Sequence, residues 1–182
     1  MSINIPTLRI GTRDSKLAMW QALKVQSLLA EKGIQSEIVP TKSEGDLDLV
    51  TPLYAMGVQG VFTKTLDAYL LSNKVDIAVH SMKDVPIQLP QGIVEAAVLE
   101  RASHKDVLVL KEEIPFDHSL AETLPLTIGT GSVRRKAQWI NKYPKHKVEN
   151  LRGNLQTRMQ KLQESKWTGA IFAAAGLDRM EM

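Results

Sequence analysis

VDIAVHSMKDVP, residues 75–86, runs from an apolar stretch (Val75, Ile77, Ala78, Val79) into His80, Ser81, Lys83 and Asp84 and stops at Pro86. Such a run after a helical segment fits an inner strand of an α/β sheet, where both faces are covered and apolar residues dominate. In open sheets of this kind ligands collect beyond the carboxyl ends of the strands. The polar residues at 80–84 are therefore the first place to look for chemistry, although an aspartate in a strand-to-loop turn is also an ordinary turn former.

Outward from this stretch, strand-like and helix-like segments alternate. Residues 8–11, 36–40 and 75–80 read as strands, with helices over about 16–32 and 61–72 between them. The first helix carries Leu17, Ala18, Ala22, Val25, Leu28 and Leu29 on one face, with Asp14 or Ser15 as N-cap and Gly33 just past its end. In the second, Phe62, Leu66, Tyr69 and Leu70 recur at helical spacing and read as core. Residues 92–99 suggest a further strand and 101–105 a polar connection. The alternation then restarts, with strands at 107–110, 126–128, 148–151 and 170–173 and helices near 119–123, 132–141 and 154–165. The parse is two α/β domains, 1–100 and 101–182, the second expected to be incomplete at its C-terminal end. Residues 41–60, TKSEGDLDLVTPLYAMGVQG, read as a binding loop or a plain surface loop.

Composition narrows the function. With 43% hydrophobic residues the chain can build real cores, and with only 5% aromatics those cores must be aliphatic. The N-terminus lacks the basic and apolar regions of a secretory signal, and no apolar run approaches the ~18 residues that span a bilayer. The chain reads as soluble and cytoplasmic, with no membrane partner. It has no cysteine, which excludes disulfides, thiolate metal sites and any covalent link through sulfur. Four scattered histidines form no ligand pattern, so no metal is expected. The net charge of +3 decides little until its placement is considered. The KYPKHK loop at 142–147 lacks the aromatic interleaving of a nucleic-acid surface. The arginines, by contrast, sit beside glycines at element boundaries.

In GTGSVRRKAQW, residues 129–139, Ser132 is a good N-cap and Arg134 and Arg135 fall in the first helical turn. A helix N-terminus already carries about half a positive charge, so two cations there make sense if a bound anion offsets them. LRGN at 151–154 followed by Arg158 forms a second basic cluster, with Arg152 able to grip a carboxylate through two parallel hydrogen bonds. Arg9, Arg13 and Ser15 form a third; Arg9 reads as a strand-edge residue outside the site. Arg179, after Gly176, could be a fourth or a frayed terminal side chain.

LRIGTRDS (8–15), HSMKDVP (80–86), GTGSVRRKAQ (129–138), LRGNLQTRM (151–159) and AAAGLDRM (173–180) follow one another in the order and spacing of porphobilinogen deaminases, also called hydroxymethylbilane synthases. The resemblance covers essentially the whole chain. It implies two similar α/β domains with mixed sheets flanked by helices, like type II periplasmic binding proteins, with a cleft between them, and a monomer. It implies stepwise condensation of four porphobilinogen molecules into hydroxymethylbilane, with release of ammonia, in heme biosynthesis. By position it makes Asp84 the catalytic carboxylate. Arg13, Ser15, Lys83, Arg134, Arg135, Arg152 and Arg158 match positions that hold the carboxylates of substrate and cofactor, with Ser81, Ser132 and Arg179 as supporting contacts. His80 is given a structural hydrogen-bonding role.

The chain also departs from the pattern. Family members grow their product on a dipyrromethane cofactor joined by a thioether to a cysteine in a third domain, and here there is neither cysteine nor the AVGQGA-like segment. The resemblance thus implies an N-terminal two-domain portion, inactive alone. Ala55 and Gln59 stand where the family commonly has lysines, and GTGS replaces the more usual GTSS at Gly131. The competing reading is a stand-alone binding module for a small dicarboxylate, sulfate or phosphate, which would need the arginines but not Asp84.

Overall fold

The structure is a computed structural model of the chain and describes residues 6–42, 62–111 and 122–182. Most of the expected 41–60 loop, with Ala55 and Gln59, lies outside the described residues, as does most of the expected helix at 119–123, of which 122–123 are helical. The chain falls into two compact units and passes from one to the other between Glu100 and Arg101.

In the first unit β1 (Leu8–Arg13), β2 (Ser36–Thr41) and β3 (Ile77–Ala78) form a sheet of order β2-β1-β3, all parallel among the described residues. Helix α1 (Lys16–Ala30) joins β1 to β2, and α2 (Lys64–Leu71) precedes β3. The Ser15 hydroxyl caps α1, accepting from the Ala18 N–H at 3.4 Å, and Gly33 supplies the left-handed turn (φ 74°) that a side chain would resist. Leu66 of α2 and Val75 pack directly on Gly11, where a Cβ would come within 2.9 Å of Leu66. With Ile10 and Ala22 they make an aliphatic core.

Two strand expectations need correction here. The strand read over 75–80 is in register with β1 at Ile77–Ala78 only, and the adjoining Asp76 and Val79 N–H groups donate to the Arg9 and Gly11 carbonyls, each at 2.9 Å. Val75 turns into the core, and the Asp76 carboxylate takes the Arg9 backbone N–H at 2.8 Å. Beyond Ala78 the chain turns into a 3-10 turn at Met82–Asp84. The strand read over 92–99 is not formed: the segment takes no ladder partner among the described residues, and Val94 and Val98 are 81% and 60% exposed. An apolar run makes a strand only where a neighbouring edge accepts its backbone groups.

The second unit contains β4 (Asp106–Leu110), β5 (Thr127–Gly129), α3 (Val133–Lys142), β6 (Lys147–Glu149), α4 (Leu155–Glu164), β7 (Gly169–Ala173) and α5 (Ala174–Asp178). Its sheet has the order β4-β7-β5-β6 and is mixed: β5 is parallel to β6 and β7, and β4 is antiparallel to β7. The core gathers Leu151, Leu162, Ala170, Phe172 and Leu177, with Trp167 and Met159 packed against it. Helix α5 was not expected from the sequence; its alanines favour the helix and buried Leu177 anchors it.

The two units share one plan. In β2-β1-β3 and in β6-β5-β7 the first strand is central, the chain passes through a helix to one side, and it later returns on the other. Each unit thus has a topological switch point at the carboxyl end of its central strand, the place where ligands collect in open α/β sheets.

Candidate anion-binding and catalytic site

On the first unit Arg13 ends β1 and Ser15 caps the following helix, so both belong to the carboxyl edge of the sheet. The Arg13 guanidinium lies over the Phe62 ring, 4.3 Å from its centroid. Beyond β3 on the same edge come His80, Ser81, Lys83 and Asp84. The 3-10 turn closes through the Asp84 N–H donating to the Ser81 carbonyl at 2.9 Å, and the Ser81 hydroxyl donates to Gln21 Oε1 of α1 at 3.1 Å. Lys83 is exposed, Asp84 half-buried. Burial pushes the His80 imidazole below its ordinary pKa of 6.5, against the pull of Asp67 and Asp84 and with a contribution from Arg13. Arg13 and Asp84 are therefore both near enough to influence the charge of His80. Arg9, at the far end of β1, is held by Asp76 through its Nε (3.0 Å) and Nη2 (2.8 Å), which with the Arg9 backbone N–H keep the Asp76 carboxyl down at about 2.

On the second unit Ser132 caps α3, its hydroxyl accepting from the Arg135 N–H at 3.3 Å, so Arg134 and Arg135 do stand in the first turn. Gly131 lets the loop approach the next strand's end: a Cβ there would lie 2.4 Å from the Leu151 carbonyl oxygen. Arg134 is exposed. Arg135 is gripped by Asp106, Nε to Oδ2 at 2.9 Å and Nη2 to Oδ1 at 2.5 Å, and donates from Nη1 to the Ile171 carbonyl at 3.3 Å. Arg152 follows β6 and is only 3% exposed, unusual for a charge unless it is paired or offered an anion. Asn154 caps α4 by accepting from the Thr157 N–H at 2.9 Å, and Arg158 Nε donates to the Gly153 carbonyl at 2.7 Å. Gly153 sits at φ 115°, backbone that favours glycine. Arg179 caps the end of α5.

All the sequence-derived site residues thus fall at the carboxyl edges of parallel strands, or on the turns and helices that follow them, in one unit or the other. Four neighbours went unnoticed. Phe62, read as core, also supports Arg13; Gln21 fixes Ser81; buried Thr130 accepts the Ser132 N–H at 3.3 Å; and Asp106 holds Arg135. Only Thr130, inside the GTGS motif, had a local signal. Among the described residues no cluster of histidine, cysteine or acidic side chains could hold a metal ion.

These units define an α/β protein of the type II periplasmic-binding-protein class. A periplasmic VFT2 domain of Bordetella pertussis BvgS matches with a TM-score of 0.50 at 14% identity, over 95% of this chain and 68% of that one, a likeness of fold alone. Residues 8–182 match the family model described as porphobilinogen deaminase, dipyromethane cofactor binding domain. The porphobilinogen deaminase of Desulfitobacterium hafniense is 46% identical over 176 residues, 96% of this chain and 56% of that protein. A probable porphobilinogen deaminase of Methanocaldococcus jannaschii is 44% identical over 173 residues, 95% of this chain and 58% of that protein. The chain belongs to the porphobilinogen deaminase family and spans little more than half the length of these relatives.

Proposed function

We propose that this chain carries the catalytic carboxylate and the anion-binding arginines of a cytoplasmic, monomeric porphobilinogen deaminase, which condenses four porphobilinogen molecules into hydroxymethylbilane and releases ammonia. The observation that supports it best is that the site residues named from the sequence, Arg9 not among them, fall at or beyond the carboxyl edge of a parallel strand, beside a switch point in each unit. We take the two units to be the domains 1–100 and 101–182.

The roles follow from charge. Asp84 accepts hydrogen bonds from pyrrole N–H groups and stabilises positive charge as it develops. Lys83 and Arg13 on the first unit, and Arg134, Arg135, Arg152, Arg158 and Arg179 on the second, bind the acetate and propionate groups that each pyrrole brings. Ser15, Ser81 and Ser132 supply hydroxyls, and helix N-termini add N–H donors. Such a donor set fits a carboxylate-rich dipyrromethane. That group, when bound, supplies the pyrrole end on which the product grows, and Arg134, Arg152 and Arg158 would hold its carboxylates. Without a cysteine this chain holds it by hydrogen bonds and charge only, so it does not sustain turnover alone.

Titration with porphobilinogen tests the reading. Arg134→Ala is expected to weaken binding about tenfold, the equivalent of ~1.4 kcal/mol. In a protein extended to the relatives' length, Asp84→Ala is expected to abolish turnover while the circular dichroism of the fold persists. Unchanged turnover in that variant would refute the role of Asp84.

A further inference from the structure

Asp106 lies 29 residues before Arg135 and in no motif, yet it grips that arginine by both oxygens. The antiparallel run of β4 explains how: its first residue, Asp106, pairs with Ala173, the last of β7, and so reaches the edge where α3 begins. Arg135 is also tied to β7 through the Ile171 carbonyl. A guanidinium has five N–H donors in a rigid plane, and among the described residues three are engaged in these bonds. The remaining two, one on each terminal nitrogen, belong to a plane fixed from two neighbouring strands.

We propose that Asp106 is a positioning residue of the anion site: it locks the Arg135 plane so that the two remaining donors form a preorganised fork for a ligand carboxylate. The proposal rests on the anion-site reading above. An ion pair with Asp106 45% exposed contributes little to stability on its own, so its larger effect falls on the geometry of Arg135. A carboxylate that merely stood in for the ligand would leave when the ligand arrived. The tie to the Ile171 carbonyl argues instead for a fixed side chain.

The test is porphobilinogen binding by the 182-residue chain, with succinate as a second probe, in Asp106→Asn, Arg135→Lys, the double variant and Arg134→Ala. Asp106→Asn is expected to weaken binding about fivefold, to add nothing further on top of Arg135→Lys, and to remove the exchange protection of the Arg135 Nε–H resonance. Asp106→Glu, which keeps the charge, is expected to restore part of the affinity and serves in the same cycle if the asparagine variant fails to fold. Unchanged or tighter binding in Asp106→Asn, or additive losses in the double variant, would overturn the positioning role. If Arg134→Ala also left binding intact, the anion-site reading itself would fall, and the proposal with it.

Discussion

His80 feels Asp67 and Asp84, which favour its charged form, and Arg13 and burial, which oppose it; burial is the largest influence and lowers its pKa. The folded protein therefore binds fewer protons at this site than the unfolded chain. The stability this neutral imidazole contributes is fully present above the ordinary value of 6.5 and is lost as pH falls through the lower folded value. Urea unfolding followed from pH 7 to pH 5 is expected to show falling stability that flattens in His80→Gln; an equal slope in the variant would remove His80 as the cause. At this scale the sequence was most informative, because charge and hydrogen-bonding capacity belong to the side chain itself. The assignment of Arg134 and Arg135 to a first helical turn came from an N-cap serine three residues before Arg135. What it could not show was Asp76 beside Arg9, or Phe62 under Arg13.

Elements were legible where a cap or a sustained apolar face identified them. Ser15, Ser132 and Asn154 each begin the helix that the residue type predicts, since a side-chain oxygen there satisfies an N–H that the helix leaves open. The misread segments lack such local signals: 92–99 is an apolar run that takes no ladder partner among the described residues, and α5 is too short for a period to emerge. Close packing between elements is also invisible in one dimension. At Gly129 in β5 a Cβ would come within 2.6 Å of the Trp167 ring. Gly129→Ala is therefore expected to destabilise the protein by about 1–3 kcal/mol, as overpacking does in filled cores. Replacing Trp167 by leucine in the same chain should recover part of that loss. Equal stability of Gly129→Ala and the parent in urea unfolding would show that the ring shifts freely.

For the whole molecule, the absence of cysteine has a direct chemical consequence. Incubation with porphobilinogen followed by denaturing mass spectrometry is expected to return the bare 20.2 kDa chain, because no thiol is present to form a thioether. A mass increased by pyrrole units after denaturation would contradict this. From the sequence alone came the α/β class and the family, because these depend on residue type, local period and the spacing of motifs. The tertiary structure alone decided the strand order that puts β1 and β5 at the centre of their sheets, and the antiparallel β4 that brings Asp106 to Arg135. Strand order and partner choice arise from hydrogen bonds between residues far apart in the chain, and no local pattern encodes them.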